Sequence, residues 1–243
     1  MIEVNDLHKT FGKVVALRGV SFTAPDGKVT GLLGPNGAGK TTTLRVLYTI
    51  LKPDRGTARV DGFDAEKFPQ KIQNCIGALP DAHGLYPRLT TRENIRYFGQ
   101  LHGLRGSEME KNIDELIELL DMQDIADRRT DGFSSGQRVK VAIARALVHK
   151  PQNILLDEPT NGLDVMSTRA MRDFICHFRD QGRCVLFSSH IMQEVSALCD
   201  NIVILVRGEV AACGTPDDLR RSTGQPNLED AFVAAIGSEE GLE

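Results

Sequence analysis

Val29-Thr-Gly-Leu-Leu33-Gly34-Pro35-Asn36-Gly37-Ala38-Gly39-Lys40-Thr41-Thr42 is the stretch that decides the architecture. Val29–Leu33 is a short apolar run of the kind that forms a buried strand, and Thr42–Leu51 after it carries helical spacing. Between them, Gly34–Thr41 fits the pattern GxxxxGK[ST], which requires a strand before it and a helix after it. Its glycines let backbone N–H groups close around phosphate oxygens, and the helix N-terminus adds positive potential. Lys40 would reach β and γ phosphates, and Thr41 would offer its hydroxyl to Mg²⁺. The residues from Gly34 to Thr42 thus read as a nucleotide phosphate cradle. The plainer reading is a Gly-rich turn that holds no ligand.

Outward from this loop, further near-continuous apolar runs stand at Cys75–Leu79, Ile154–Asp157, Cys184–Ser188 and Ile202–Val206. Runs of this type suit strands covered on both faces, and helical stretches lie between most of them, so a parallel sheet in an α/β core is expected. The first 30 residues and Thr57–Gly62 differ: short strands broken by turns such as Pro25-Asp26-Gly27 suggest a small antiparallel sheet. Gly84–Lys150 carries helical signals and no convincing strand. There Ser107 with Glu110 reads as a capping box, followed by Met109, Ile113, Leu116, Ile117 and Leu120 at helical spacing. After Gly214 a polar linker is expected, then a short helix capped by Asn227 with Leu228, Ala231, Phe232 and Ile236 on one face.

The chain has 243 residues, 41% of them hydrophobic and 26% charged, with a net charge of −4. That balance is globular, and it gives no electrostatic support to a nucleic-acid partner. No stretch approaches the roughly 20 apolar residues that cross a bilayer, and MIEVNDLHKT lacks the layout of a signal peptide. A membrane role is therefore expected to come through another chain. The five cysteines are scattered without a CxxC, as buried thiols in a reducing compartment would be.

Ile154-Leu-Leu-Asp157-Glu158-Pro159 puts two carboxylates at the end of a buried strand, where ligands of open α/β sheets gather. Asp157 would hold Mg²⁺ and Glu158 would polarise an attacking water. The alternative is an ordinary solvated strand end. Phe133-Ser134-Ser135-Gly136-Gln137 then precedes the helical run Arg138–His149. In this order, the chain resembles the ATP-binding cassette (ABC) ATPases across nearly its whole length. The segment looks like their signature motif, and Asn161-Gly162-Leu163-Asp164 and His190 stand where their D-loop and switch histidine are expected. Phe11, in KTFGKVVAL, matches the aromatic that stacks on adenine, although by itself it reads equally as a core residue of the small sheet.

Three positions depart from the family pattern. Asp81 stands in ALPDAHGLYPRLTTREN where the family places Gln, and its carboxylate could still ligand Mg²⁺. Ser135 replaces a signature glycine, and Phe133 replaces Leu.

The resemblance implies a P-loop NTPase core of the RecA-like α/β class, with a small antiparallel β subdomain and an inserted α-helical subdomain. It assigns residues 1–83 and 151–213 to the core and small sheet, 84–150 to the helical subdomain, and 214–243 to a C-terminal segment. That segment could serve as a regulatory contact, a dimer brace or simple packing. The resemblance also implies ATP and Mg²⁺ as cofactors, with Lys40, Asp81, Glu158 and His190 catalytic. Two such subunits, most simply a homodimer, would bind ATP between one phosphate loop and the partner copy's Ser134, Ser135, Gly136, Gln137 and Asp164. An integral membrane permease would be a separate chain, docked on Asp81–Tyr97 if that stretch is more than an irregular linker, and the ATPase would lie peripherally on the cytoplasmic side of the membrane. GLYPRLTTREN and LDEPTNGLDVMSTR are similar to sodium-extrusion ATPases and ABC-2 type drug exporters. The rival reading is a soluble ABC ATPase of iron–sulfur assembly or the ribosome.

Overall fold

A computed structural model describes residues 1–81 and 84–237, without the side chain of Ile236. The expected boundary at 83/84 and the last six residues of the C-terminal segment thus touch positions outside the described residues, as does the Ile236 side chain expected on the apolar face.

The chain opens with a hairpin of β1 (Ile2–Phe11) and β2 (Val14–Ala24), joined across Gly12 and Lys13. Ile2, Val4 and Leu7 on β1, and Leu17, Val20 and Phe22 on β2, are buried. β3 (Val29–Leu33) follows, then α1 (Lys40–Leu47), β4 (Arg55–Val60) and β5 (Phe63–Asp64). β4 and β5 join the hairpin in a four-stranded sheet of order β2-β1-β4-β5, antiparallel throughout.

α2 (Pro69–Cys75) leads into β6 (Ile76–Leu79), and the chain then forms α3 (Thr91–Leu101), α4 (Gly106–Leu119) and α5 (Ser135–Leu147). β7 (Asn153–Asp157), α6 (Val165–Asp180), β8 (Cys184–Ser189), α7 (Met192–Leu198), β9 (Asn201–Val206) and β10 (Glu209–Gly214) follow. α8 (Pro216–Thr223) and α9 (Leu228–Ile236) come last. The second sheet has six strands in the order β10-β9-β3-β8-β7-β6, parallel except for the β10 edge. No described helix is long and apolar enough to cross a membrane.

Alternation along these strands builds two cores. Leu32, Leu155, Leu186 and Val203 point to one face, where they pack with Leu44 and Leu47 of α1 and with the antiparallel sheet. Leu33, Ile154, Leu156, Val185 and Phe187 point to the other, against α5 and α6. Each such side chain contributes about 1.5–3 kcal/mol by leaving water. The double burial explains why these strands lack the polar alternation of a surface strand.

Four local expectations are corrected. Cys75 ends α2 rather than starting a strand, its thiol turned back to the Lys71 carbonyl. Ser107 does not cap α4: Arg105 occupies the cap position, and Glu110 is bound instead by Arg96 through Nε at 2.7 Å and Nη2 at 2.8 Å. The box forms on α3, between Thr90 and Glu93. The helices at the phosphate loop and signature begin at Lys40 and Ser135, earlier than Thr42 and Arg138. The supposed linker after Gly214 contains α8, capped by Thr215 and Asp218. Asn227 caps α9 as expected, accepting from the Asp230 N–H at 2.8 Å, and Leu228 and Ala231 are buried.

Candidate functional site

The phosphate loop leaves β3 at the centre of the parallel sheet. Gly34 is required there by space: a Cβ would fall 2.2 Å from the Leu205 carbonyl oxygen of β9. Lys40 opens α1, and its ammonium donates to the Gly34 carbonyl at 2.7 Å and the Pro35 carbonyl at 3.2 Å. The same ammonium lies 3.3 Å from Glu158 Oε1. A buried cation is therefore held at the loop by two carbonyls and one carboxylate.

At the carboxyl end of β7, the buried Asp157 accepts from Ser188 Oγ at 2.6 Å and Thr41 Oγ1 at 3.2 Å. Burial pushes the Asp157 carboxyl above its ordinary range; the two hydroxyls oppose the shift, and the nearby charges of Glu158 and Asp81 reinforce it. Glu158 has a backbone φ of 48°, in the left-handed region that side-chain-bearing residues seldom enter. Its N–H donates to Ser188 Oγ at 2.9 Å, and its Oε2 lies 2.9 Å from His190 Nδ1. Strained backbone of this kind persists only where surrounding contacts over-determine it.

Phe11, Val14, Val15 and Ala16 form an apolar wall of a cleft of about 580 Å³, whose floor and far side are residues 36–42, Asp81, Glu158, Asn161 and His190. Phe11 is 47% exposed, which excludes the core reading left open by its sequence. Thus the structure brings together Phe11, the phosphate loop, Asp81, Glu158 and His190, with Asp157 bonded to Thr41 just behind.

The signature residues lie elsewhere. Ser134 caps α5, its hydroxyl accepting from the Gln137 N–H at 3.2 Å while Gln137 Oε1 receives the Ser134 N–H at 3.1 Å. Ser135 starts the helix, and Ser134, Gly136 and Gln137 line a separate depression with Ser167. Asp164 caps α6, accepting from Ser167 N–H at 2.8 Å and Ser167 Oγ at 2.9 Å. These bonds hold its carboxyl below the usual range.

Sequence reasoning missed Ser188, which bonds Asp157 and Glu158 at once. The available signal was a pair of serines ending a strand that is otherwise apolar and wholly buried.

The family description for ABC transporters matches residues 17–161. The chain belongs to the ABC transporter family. It is 45% identical over 241 residues to the ABC transporter ATP-binding protein NatA of Bacillus subtilis (strain 168), covering 97% of this chain and 98% of that protein. It is 35% identical over 246 residues to the linearmycin resistance ATP-binding protein LnrL of the same strain, covering 98% of this chain and 79% of the relative. A dimeric ATP-binding cassette, solved in a post-hydrolysis state bound to ADP and Pi, matches with a TM-score of 0.79 at 25% identity over 88% of this chain and 98% of that one. The chain is accordingly an ATP-binding, ATP-hydrolysing subunit of the transporter type, and the non-transport ABC reading is set aside.

Proposed function

We propose that this ABC subunit powers an exporter by ATP-driven pairing of two copies. The observation that carries the reading is the separation of two surfaces. Lys40, Glu158 and His190 gather at the phosphate loop, whereas Ser134, Gly136 and Gln137 lie on another depression. A second copy would bring its signature helix over the nucleotide, adding Ser134, Ser135, Gly136, Gln137 and Asp164, with the helix N-terminus behind them. The dimeric cassette that resembles this chain supports such a pairing.

In this reading Phe11 stacks on the adenine, and the N–H groups of residues 36–42 with the Lys40 ammonium hold the phosphates. Glu158 takes a proton from the attacking water, and His190, bonded to Glu158, orients toward the γ phosphate. ATP favours the paired state because only that state completes its contacts, and loss of the γ phosphate releases it.

The Mg²⁺ expected with the nucleotide fits the donors present: the Thr41 hydroxyl and the Asp157 carboxylate lie 3.2 Å apart and are hard oxygen ligands, with Asp81 on the same cleft. When bound, the ion would neutralise phosphate charge.

We further assign residues 1–83 and 151–213 to the nucleotide-binding core with its small sheet, 84–150 to a helical subdomain, and 214–243 to a C-terminal segment. A separate membrane permease would dock on the stretch from Asp81 to Tyr97, whose last residues form the first two turns of α3, and keep this chain peripheral on the cytoplasmic side. Sodium ions or a drug- or lipid-type compound are the cargo classes that fit the resemblance to NatA and LnrL.

The test is Glu158→Gln in size-exclusion chromatography with MgATP. The variant is expected to bind ATP, turn over at less than about a hundredth of the parent rate, and elute as a dimer. A monomeric variant, or one hydrolysing at the parent rate, refutes the assignment.

A further inference from the structure

Behind the Glu158–His190 pair lies a buried polar cluster that none of the roles above uses. Glu194, in the first turn of α7, is 4% exposed. Its Oε2 accepts from Thr160 Oγ1 at 2.7 Å and from Ser189 Oγ at 3.1 Å. Ser189 Oγ also accepts the Ile191 N–H at 3.0 Å.

A carboxylate buried against neutral hydroxyls is costly, because two weak donors replace a full shell of water. α7 does not need it for packing, since Val195 and Leu198 of the same helix are already buried in the core. The connectivity suggests what the cost supports. Thr160 is two residues beyond Glu158, and Ser189 immediately precedes His190. The cluster therefore closes a ring that runs from Glu158 through Thr160, Glu194 and Ser189 to His190, and back across the 2.9 Å His190–Glu158 contact. On the opposite side, Ser188 fixes the Glu158 N–H. The left-handed backbone of Glu158 is thus held from both sides.

We propose that Glu194 is a positioning residue for hydrolysis, a clamp that sets the placement of Glu158 relative to His190 by holding Thr160 and Ser189. It is not among the residues that line the cleft holding Lys40, Glu158 and His190. The proposal rests on the reading of Glu158 and His190 as the hydrolytic pair.

The test is steady-state ATP hydrolysis by the full chain, with folded protein quantified by thermal melting. Glu194→Ala removes the acceptor of both hydroxyl protons and frees the ring. Its kcat is expected to fall by about tenfold or more, as for a misplaced reacting group, while KM for ATP stays within about twofold because Phe11 and the phosphate loop are untouched. Glu194→Gln presents one amide oxygen to the same hydroxyls and is expected to recover kcat to within about threefold of the parent. If Glu194→Ala does not fold, Thr160→Val and Ser189→Ala each remove one arm, and each is expected to lower kcat by several-fold at constant KM. A folded Glu194→Ala with parental kcat, a loss confined to KM, or parental kcat in both single-arm variants overturns the clamp. A parent chain without ATPase activity overturns the site reading itself and the clamp with it. An active parent with an unaffected Glu194→Ala overturns the clamp alone.

Discussion

Replacing Gly208 by Ala tests how the phosphate loop is braced. Gly208 sits in the turn between β9 and β10 with a φ of 84°. Its N–H donates to the Ala38 carbonyl of the phosphate loop at 3.1 Å, and its carbonyl accepts the Arg18 N–H of β2 at 2.7 Å. Two costs add in the variant. An L-residue with this φ loses about 1–2 kcal/mol. The new Cβ would also stand 2.7 Å from the Ala16 carbonyl oxygen and 3.2 Å from Leu17 Cα, both fixed backbone of a paired strand. Relieving that overlap costs about 1–3 kcal/mol more. A total of about 2–5 kcal/mol lowers the melting temperature of a chain this size by roughly 4–20 °C.

Gly62→Ala supplies the reference. Its φ is 79° and its Cβ would meet nothing within 4 Å, so it carries the backbone cost alone. The relevant assay is calorimetry of both variants, followed by KM for ATP. Since the turn can retreat only by releasing Ala38, KM in Gly208→Ala is expected to rise by several-fold while Gly62→Ala leaves it unchanged. A Gly208→Ala chain that melts level with Gly62→Ala and keeps the parental KM would refute the reasoning.

Phe11→Ala is expected to raise KM for ATP by about tenfold through lost stacking, with melting shifted by less than about 2 °C because the ring is 47% exposed; unchanged KM, measured by steady-state kinetics, refutes the stacking role. His149 is pushed down to about 4, chiefly by burial and also by the adjacent His102, whose ring stacks on it at 3.6 Å. The unfolded chain therefore takes up this proton first as pH falls below about 6.5, so stability from this group is intact above that pH and declines toward pH 4, by at most about 3 kcal/mol. Urea melts at pH 7 and pH 4.5 should show that decline, and His149→Gln should flatten it; an equal slope in both chains counts against it. Cys184 is pushed up to about 12 by burial, so a thiolate-specific reagent at pH 8 should modify it only on unfolding. Mass spectrometry showing a labelled Cys184 in folded protein contradicts that assignment.

The parts of the fold that were legible are those whose physics is local or doubly buried. β3, β7, β8 and β9 are apolar on both faces, so composition alone marks them, and the phosphate loop carries its own conformational demands. α8 was hidden because only Leu219 of its residues is buried. Caps and pairing of Arg220 with Asp217 and of Arg221 with Asp218 stabilise it, not apolar periodicity. β10 was hidden because it is a half-exposed edge strand whose pairing with β9 decides its state. Thr90 with Glu93 and Ser107 with Glu110 share one sequence pattern, yet only the first forms a box, and Arg96 binds Glu110 instead. At the site, residues within one motif were readable. The bonds linking motifs, such as Ser188 to Asp157 and Glu158, depend on which strands become neighbours.

That neighbour relation has a consequence for biosynthesis. β3 carries the phosphate loop near the start of the chain, yet both strands beside it come late: Val29 pairs with Val185, and Leu33 with Ile204. The loop is thus translated early, but its strand is not flanked on both edges until the ribosome has passed Val206. At about 5–20 residues per second, that takes roughly 10–40 s. Through this interval the apolar Val29–Leu33 segment emerges with no mate on either edge, a natural point for chaperone engagement. A nascent chain stalled before β9 should bind no nucleotide, so the appearance of ATP binding would time the closing of the sheet.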